Sequence, residues 1–179
     1  MYAVAFKPTT RVMFHVVLFQ PEIPPNTGNI IRLCANCNTR LHLIRPLGFT
    51  LDDKRLRRAG LDYHEFASVK EHDSLEQFVE SCRPNRLLAF STKGEHSYSN
   101  ISYQAGDALL FGPESRGLPQ EIRGKLPNHD VLRIPMQVNS RSLNLSNTVA
   151  IALFEAWRQH DFSYEGPLAR GPNAKRAAI

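Results

Sequence analysis

Two apolar segments in the last third of the chain each run straight into a loop of glycine, proline, serine and asparagine. Asp107 to Phe111 precedes Gly112-Pro-Glu-Ser-Arg-Gly117, and Leu132 to Met136 precedes Asn139 to Ser146. Short apolar runs bounded by such residues predict buried strands, and open α/β sheets bind ligands just beyond the carboxyl ends of their strands. The two loops therefore predict either one ligand pocket or a pair of strand-to-helix turns followed by a helix cap.

The rest of the chain alternates short apolar runs with stretches that have helical spacing. We expect strands near residues 15–19, 40–44, 63–69, 86–90, 107–111 and 131–134, and helices that begin near residues 27, 53, 74, 119 and 142–144. This alternation predicts an α/β fold with a mostly parallel sheet and helices on both faces. The folded domain is expected over residues 13–160, with an N-terminal extension at 1–12 and a flexible C-terminal tail at 161–179.

Several common α/β chemistries lack their motifs in this chain. There is no Gly-x-x-x-x-Gly-Lys phosphate loop, no Gly-x-Gly-x-x-Gly after the first strand, and no Gly-x-Ser-x-Gly elbow. The seven histidines have no ligand spacing along the sequence. Cys34-x-x-Cys37 has no second cysteine pair to complete a zinc set. We therefore expect no metal site.

Charge and cysteine usage bound the environment and the partner. Three cysteines favour a reducing compartment. No apolar stretch reaches the roughly 20 residues that span a bilayer, so we expect a cytoplasmic protein with no membrane partner. The net charge of +5 favours an anionic partner only weakly. The basic residues Lys54, Arg55, Arg57 and Arg58 form either a phosphate-binding helix face or a solvated one.

Asn26, in the loop before the first helix, and Arg32, on that helix, form another pair of candidate site residues. Arg32 lies between Ile31 and Leu33 in a helix with an apolar side. A guanidinium near a core forms an ion pair or holds an anion. Within this chain, Glu22 and Glu114 are the candidate ion-pair partners.

These residues together resemble the three motifs of the SPOUT RNA ribose methyltransferases. The segments that carry the resemblance are residues 26–32, 111–118, and 134–136 together with 140–147. Residues 21–36, 52–66 and 155–158 are more closely similar to the tRNA (cytidine/uridine) 2′-O-methyltransferases, which act on the wobble nucleotide of leucine tRNAs. The match covers residues 13 to 160.

The resemblance implies a C-terminal trefoil knot, S-adenosylmethionine (S-adenosyl-L-methionine) as methyl donor and a homodimer that binds the tRNA anticodon stem-loop. By position, the cofactor site would be lined by Phe90, Gly112, Ile134 and Ser142. The catalytic residues around the acceptor ribose would be Arg32, Asn26, Glu114 and Asn144, with Ser142 beside them. The sequence departs from the family at Phe154, where relatives often carry Tyr, and at Cys37-Asn38, where we expect Thr-Gly.

The implied reaction is in-line attack of a ribose 2′-hydroxyl on the sulfonium methyl group. In related enzymes the equivalent of Arg32 is often described as the base, but free arginine has a pKa above about 12. We expect it to clamp the adjacent phosphate and lower the pKa of the hydroxyl. Two alternatives stay open: a non-catalytic knotted RNA-binding protein, and a metabolic enzyme with a nucleotide cofactor.

Overall fold

A seven-stranded parallel sheet forms the centre of the protein in a computed structural model that describes residues 13–50 and 69–162. The strand order is β3-β2-β1-β6-β4-β7-β5, and each strand pairs with its neighbours in parallel. The strands are β1 Phe14–Phe19, β2 Arg40–Ile44, β3 Val69–His72, β4 Leu87–Phe90, β5 His96–Ser97, β6 Asp107–Phe111 and β7 Val131–Arg133. The prediction of an α/β fold with a parallel sheet is confirmed.

Helices cover both faces of this sheet. They are α1 Pro24–Asn36, α2 Leu75–Cys82, α3 Gln120–Arg123 and α4 Leu145–Arg158. Helices α1 and α4 pack on the face that carries Phe14, Val16 and Leu18, whereas α2 and α3 cover the face that carries Val17 and Leu110. Because both faces are covered, β6 is buried along its whole length, which explains the unbroken apolar run that follows Asp107 in this strand.

The helix boundaries differ from the predictions where proline sets them. Helix α1 begins at Pro24, three residues before the predicted start, because proline suits the first turn, where its missing N–H costs nothing. Helix α4 begins after Asn144, whose side-chain oxygen accepts hydrogen bonds from the backbone N–H of Ser146 and Asn147. This confirms the predicted helix start at Asn144.

Strand β5 lies between the predicted strands at 86–90 and 107–111, where the sequence pattern predicts no strand. It has two residues and a half-exposed, polar sequence, so its hydrophobic pattern is too short to read. Of the predicted strand at 63–69, only Val69 is among the described residues, and there it begins β3, which continues to His72. The predicted basic helix at 54–58 lies outside the described residues. Within the described ranges, no helix is long and apolar enough to cross a membrane.

The loop 91–95 crosses over the backbone of β7. Strands β4 and β5 flank β7, and Phe90 and His96 are both in register with Leu132. The connecting loop must therefore pass across β7 at that level. The Ser91 N–H donates to the Leu132 carbonyl at 2.9 Å. The trefoil knot that the resemblance implies stays a prediction, and this crossover is the local geometry that it requires.

Gly94 makes the crossover possible. A Cβ added at Gly94 would lie 2.8 Å from the Leu132 carbonyl carbon and 2.8 Å from the Val131 oxygen. These are backbone atoms in a sheet, so they cannot move aside as a flexible side chain would. A side chain at position 94 would force loop 91–95 away from β7.

We predict that Gly94→Ala lowers the free energy of unfolding by about 1–3 kcal/mol, because overpacking a close backbone contact costs this much. Urea unfolding followed by circular dichroism measures the change. Gly124→Ala is the matched control, since Gly124 has helical φ of −70° and its Cβ would meet only Gln120 atoms, the carbonyl oxygen at 3.1 Å and the side-chain Nε2 at 3.9 Å. A change in the control as large as that of Gly94→Ala would contradict the crossover argument.

Candidate functional site

The carboxyl ends of β4, β6 and β7 open into one cavity of about 500 Å³. This volume is within the range of small-molecule and cofactor sites. Three loops form its walls: residues 91–93 after β4, residues 112–118 after β6, and residues 134–145 between β7 and α4. Ile23 and Asn26, at the start of α1, complete it. The two loops that open the sequence argument therefore meet in one pocket.

The loop after β6 packs tightly on itself at Gly112. A Cβ at this position would lie 2.2 Å from the Leu118 backbone nitrogen, so no other residue fits without moving the loop. Gly117 has φ of +68°, in the left-handed region that favours glycine. Its N–H donates to the Pro113 carbonyl at 2.9 Å. The two glycines thus close residues 112–117 into a compact turn whose backbone faces the cavity.

Two aromatic rings form an apolar part of the cavity. Phe90 and Phe111, at the ends of adjacent strands β4 and β6, stack with ring centroids 4.8 Å apart and an interplanar angle of 18°. Ile134 and Met136 also line the cavity. The pocket therefore combines flat apolar surface with main-chain polar groups, which suits a purine nucleoside.

Two glutamates brace the loop before α1 against the loop after β6. The Glu114 carboxylate accepts hydrogen bonds from the backbone N–H of Glu22 at 2.8 Å and of Ile23 at 3.2 Å. In return, the Glu22 carboxylate accepts from the Ser115 N–H at 2.9 Å and the Ser115 hydroxyl at 2.8 Å. These hydrogen bonds lower the pKa of the Glu22 carboxyl below its usual value, and the bond from the Ser115 N–H has the largest effect. We call this set the carboxylate brace.

Asn26 extends the carboxylate brace to α4. Its side-chain N–H donates to Glu114 at 2.9 Å, and its oxygen accepts from the Asn144 side chain at 2.9 Å. Asn144 in turn caps α4. One hydrogen-bonded chain, Glu114–Asn26–Asn144, therefore ties together all three sequence motifs. Because Glu114 already accepts three hydrogen bonds, its position favours a role in holding the site over one in proton transfer.

Most of the predicted catalytic and cofactor-binding residues line this cavity. They are Asn26, Phe90, Gly112, Glu114, Ile134, Ser142 and Asn144. Arg32 is the exception, since it is exposed on α1 and is not among the lining residues. Six helical positions separate it from Asn26, a rotation of about 240° and a rise of about 9 Å. Arg32 therefore does not line its own chain's cavity, and its place at the acceptor ribose stays a prediction.

The predicted RNA-binding residues Lys54, Arg55, Arg57 and Arg58 lie outside the described residues. The structure adds other cations to the site, because Lys93, Arg116 and Arg123 line the cavity. Arg116 also donates to the Gln20 side chain at 2.5 Å. Sequence analysis missed Lys93 because the loop after β4 has no glycine-rich pattern. Its place after a buried strand was the available signal.

The chain belongs to the SpoU rRNA Methylase family, whose model matches residues 13–154. Among its relatives, the tRNA (cytidine(34)-2'-O)-methyltransferase of Yersinia pestis is 59% identical over 163 residues, covering 88% of this chain and 99% of the relative. The enzyme of the same name from Escherichia coli K12 is 57% identical over 158 residues, with coverage of 88% and 99%.

Solved structures of the family share the fold. One from a study of 2-OH methylation of C/U34 on tRNA is 47% identical, with a TM-score of 0.76 and coverage of 86% of this chain and 99% of the other. The SpoU methyltransferase AviRb from Streptomyces viridochromogenes, in complex with the cofactor AdoMet, is 25% identical, with a TM-score of 0.70 and coverage of 84% and 59%. The resemblance predicted from the motifs is confirmed.

We predict that Glu114→Gln destabilises the contact between the two braced loops. The amide can accept on one side only, so at least one charge-assisted hydrogen bond of about 1.5–3 kcal/mol is lost. Hydrogen exchange should show faster exchange at the Glu22 and Ile23 amides. Glu121→Gln, on the exposed surface of α3, should leave both amides unchanged. Unaltered protection in Glu114→Gln would refute the carboxylate brace.

Proposed function

We propose that this protein transfers a methyl group from S-adenosylmethionine to the ribose 2′-hydroxyl of the wobble nucleotide, cytidine or uridine, of tRNA. The observation that carries the proposal is the single cavity at the ends of β4, β6 and β7, where all three motifs meet. The relatives with more than half of their residues identical are tRNA (cytidine(34)-2'-O)-methyltransferases, which supports the same nucleotide position.

The residues present fit this methyl donor. The Phe90 and Phe111 stack and Ile134 offer apolar surface for the adenine ring, and main-chain groups beside Gly112 can hold its polar edge. Because the tight turn leaves no room for a Cβ at Gly112, no side chain covers the backbone at this position. Ser142, exposed at the mouth of the cavity, is positioned to hydrogen-bond to the donor or the ribose.

When bound, the donor supplies an activated sulfonium methyl group, so the protein mainly has to align two reactants. Asn26 and Asn144 are held at the cavity by the carboxylate brace and are placed to orient the acceptor ribose. Arg32 clamps the phosphate beside that ribose and lowers the pKa of the hydroxyl. The proton then leaves late in the reaction or passes to water.

A homodimer would explain why Arg32 does not line its own chain's cavity. Phe154 and Phe162 are about half exposed, and each packs edge-on against Trp157. This aromatic surface at the end of α4 is the kind of apolar patch that an interface covers. We propose that a second copy packs here and that Arg32 reaches the partner's cavity. Phe154 would then serve packing, without the hydroxyl that relatives often carry at this position.

The substrate contacts follow from charge. Lys54, Arg55, Arg57 and Arg58 would bind phosphates of the tRNA anticodon stem-loop, with Lys93 and Arg123 nearer the cavity. Leucine tRNAs are the proposed substrates, as the family resemblance implies. We place the protein in the cytoplasm, where such tRNAs are modified. The proposal includes no resident metal in the methyl-transfer site.

Methyl transfer tests the proposed function directly. The protein is incubated with unmodified tRNAs and methyl-labelled donor, and the product is mapped by nuclease digestion. We expect one ribose methyl group at the first anticodon position of leucine tRNAs. A tRNA with a 2′-deoxyribose at that position is the control and should incorporate no label. Lack of incorporation into any tRNA would eliminate the enzyme and leave the RNA-binding alternative.

The Arg32→Lys variant distinguishes between two roles for Arg32, a phosphate clamp and a general base. Lysine keeps the charge but cannot form the planar bidentate contact of a guanidinium. If Arg32 is a clamp, we expect kcat to fall by about 10²–10³-fold, with the pH profile unchanged in shape. Arg83→Lys, at the exposed end of α2, is the control and should behave as wild type. Near-normal turnover with a shifted pH profile would support the base instead.

A further inference from the structure

Three buried histidines form a hydrogen-bonded chain on the sheet face opposite α1 and α4. His15, His42 and His72 come from adjacent strands β1, β2 and β3. His15 Nδ1 lies 3.0 Å from His42 Nε2, and His42 Nδ1 lies 2.9 Å from His72 Nε2. The chain lies in the other half of the sheet from the methyl-transfer cavity, which is formed by β4, β6 and β7. The proposed reaction uses none of these histidines.

A cysteine from α2 reaches the same point. Cys82 Sγ lies 3.9 Å from His42 Nδ1, and one ligating atom each of His42, His72 and Cys82 lies within 4.8 Å of the others. Phe78, one helical turn earlier, packs against the histidine rings and covers them. Cys82 itself is only partly buried, so the cluster has one side near solvent.

His42 and His72 each present one ring nitrogen to the point that the Cys82 thiol reaches, within 4.8 Å of one another. The cluster therefore offers two imidazole donors and one sulfur donor, which are the ligand types of zinc sites.

We propose that His42, His72 and Cys82 form a zinc site, with solvent as the fourth ligand. In a tetrahedral zinc site, Zn–N and Zn–S bonds of about 2.1 and 2.3 Å place two nitrogens about 3.4 Å apart and a nitrogen and sulfur about 3.6 Å apart. The separations from His42 Nδ1 to His72 Nε2 and to Cys82 Sγ are 2.9 and 3.9 Å, and His72 and Cys82 lie within 4.8 Å of each other. Small rotations of these side chains would bring all three donors to zinc-binding distance.

The surroundings of the site suit a borderline-soft cation. Two imidazoles and a thiolate bind zinc in preference to magnesium or calcium, which favour oxygen ligands. His15 holds the second nitrogen of His42, as an outer partner does for many metal-bound histidines. Cys82 is the last residue of α2, where the helix dipole favours positive charge. The cations Arg40 and Lys70 near the histidines oppose a bound cation, whereas Asp73 beside His72 favours one.

The site would tie α2 to the strands β2 and β3. Its expected effect is on stability, because its ligands lie away from the methyl-transfer cavity. The experiment uses the full chain, stripped of metal by a chelator and kept reduced. It is titrated with Co²⁺ as a spectroscopic probe and with Zn²⁺ for stability.

We expect one Co²⁺ per chain, with a thiolate-to-cobalt charge-transfer band in the near ultraviolet. Zn²⁺ at about 100 times its Kd should raise the Tm by roughly 5–10 °C. Cys82→Ser should lose the charge-transfer band and most of the Tm rise. His15→Gln, which alters only the outer partner, should weaken Zn²⁺ binding by about 10–100-fold.

His129→Gln is the matched control, since its side chain is 72% exposed, and it should bind both metals as wild type does. Because Cys82 is partly exposed, its serine variant is expected to fold, and circular dichroism checks this. Absence of the charge-transfer band in the wild type, or the same band in Cys82→Ser, would overturn the proposal. Methyl transfer that is unchanged by chelation at a temperature well below the Tm of the metal-free protein would agree with a purely stabilising site.

Discussion

The methyl-transfer site depends on the carboxylate of Glu114. Three loops that are distant in sequence meet at the sheet edge, and each brings backbone N–H groups or amides that need partners. Glu114 accepts from the loop before α1 and from Asn26, and Asn26 passes the connection on to Asn144. A charged acceptor with several donors is a strong, directional contact. The cavity walls therefore keep their relative positions without a ligand to hold them.

Much of the fold could be predicted from residue pattern because the sheet is parallel and buried. The apolar run that follows Asp107 predicts a strand because β6 is buried on both faces of the sheet. Asn144 predicts a helix cap because its side-chain oxygen can accept hydrogen bonds from the free N–H groups at the start of α4. The family motifs placed seven of the predicted residues on one cavity. Strand β5, with two polar residues, carries too little pattern to be found this way.

Other parts of the site depend on contacts between distant residues. The Glu22–Ser115 contact joins positions 93 apart, and the histidine chain joins positions 27 and 30 apart. Ligand spacing along the sequence finds metal sites within one loop or helix, whereas a parallel sheet brings side chains together by strand register. Arg32 and Asn26 are close in sequence, but their separation along and around helix α1 places Arg32 outside the cavity that Asn26 lines.

The crossover of loop 91–95 over β7 has a consequence for synthesis. Strand β7 and helix α4 supply a wall of the cavity, and they leave the ribosome after β4, β5 and β6. Since β7 lies between β4 and β5, it must enter a space already bounded by chain. A nascent chain that lacks the last third has neither the cavity nor its Asn144 contact. Binding of the methyl donor therefore requires that both β7 and α4 have been synthesised, because they complete the cavity.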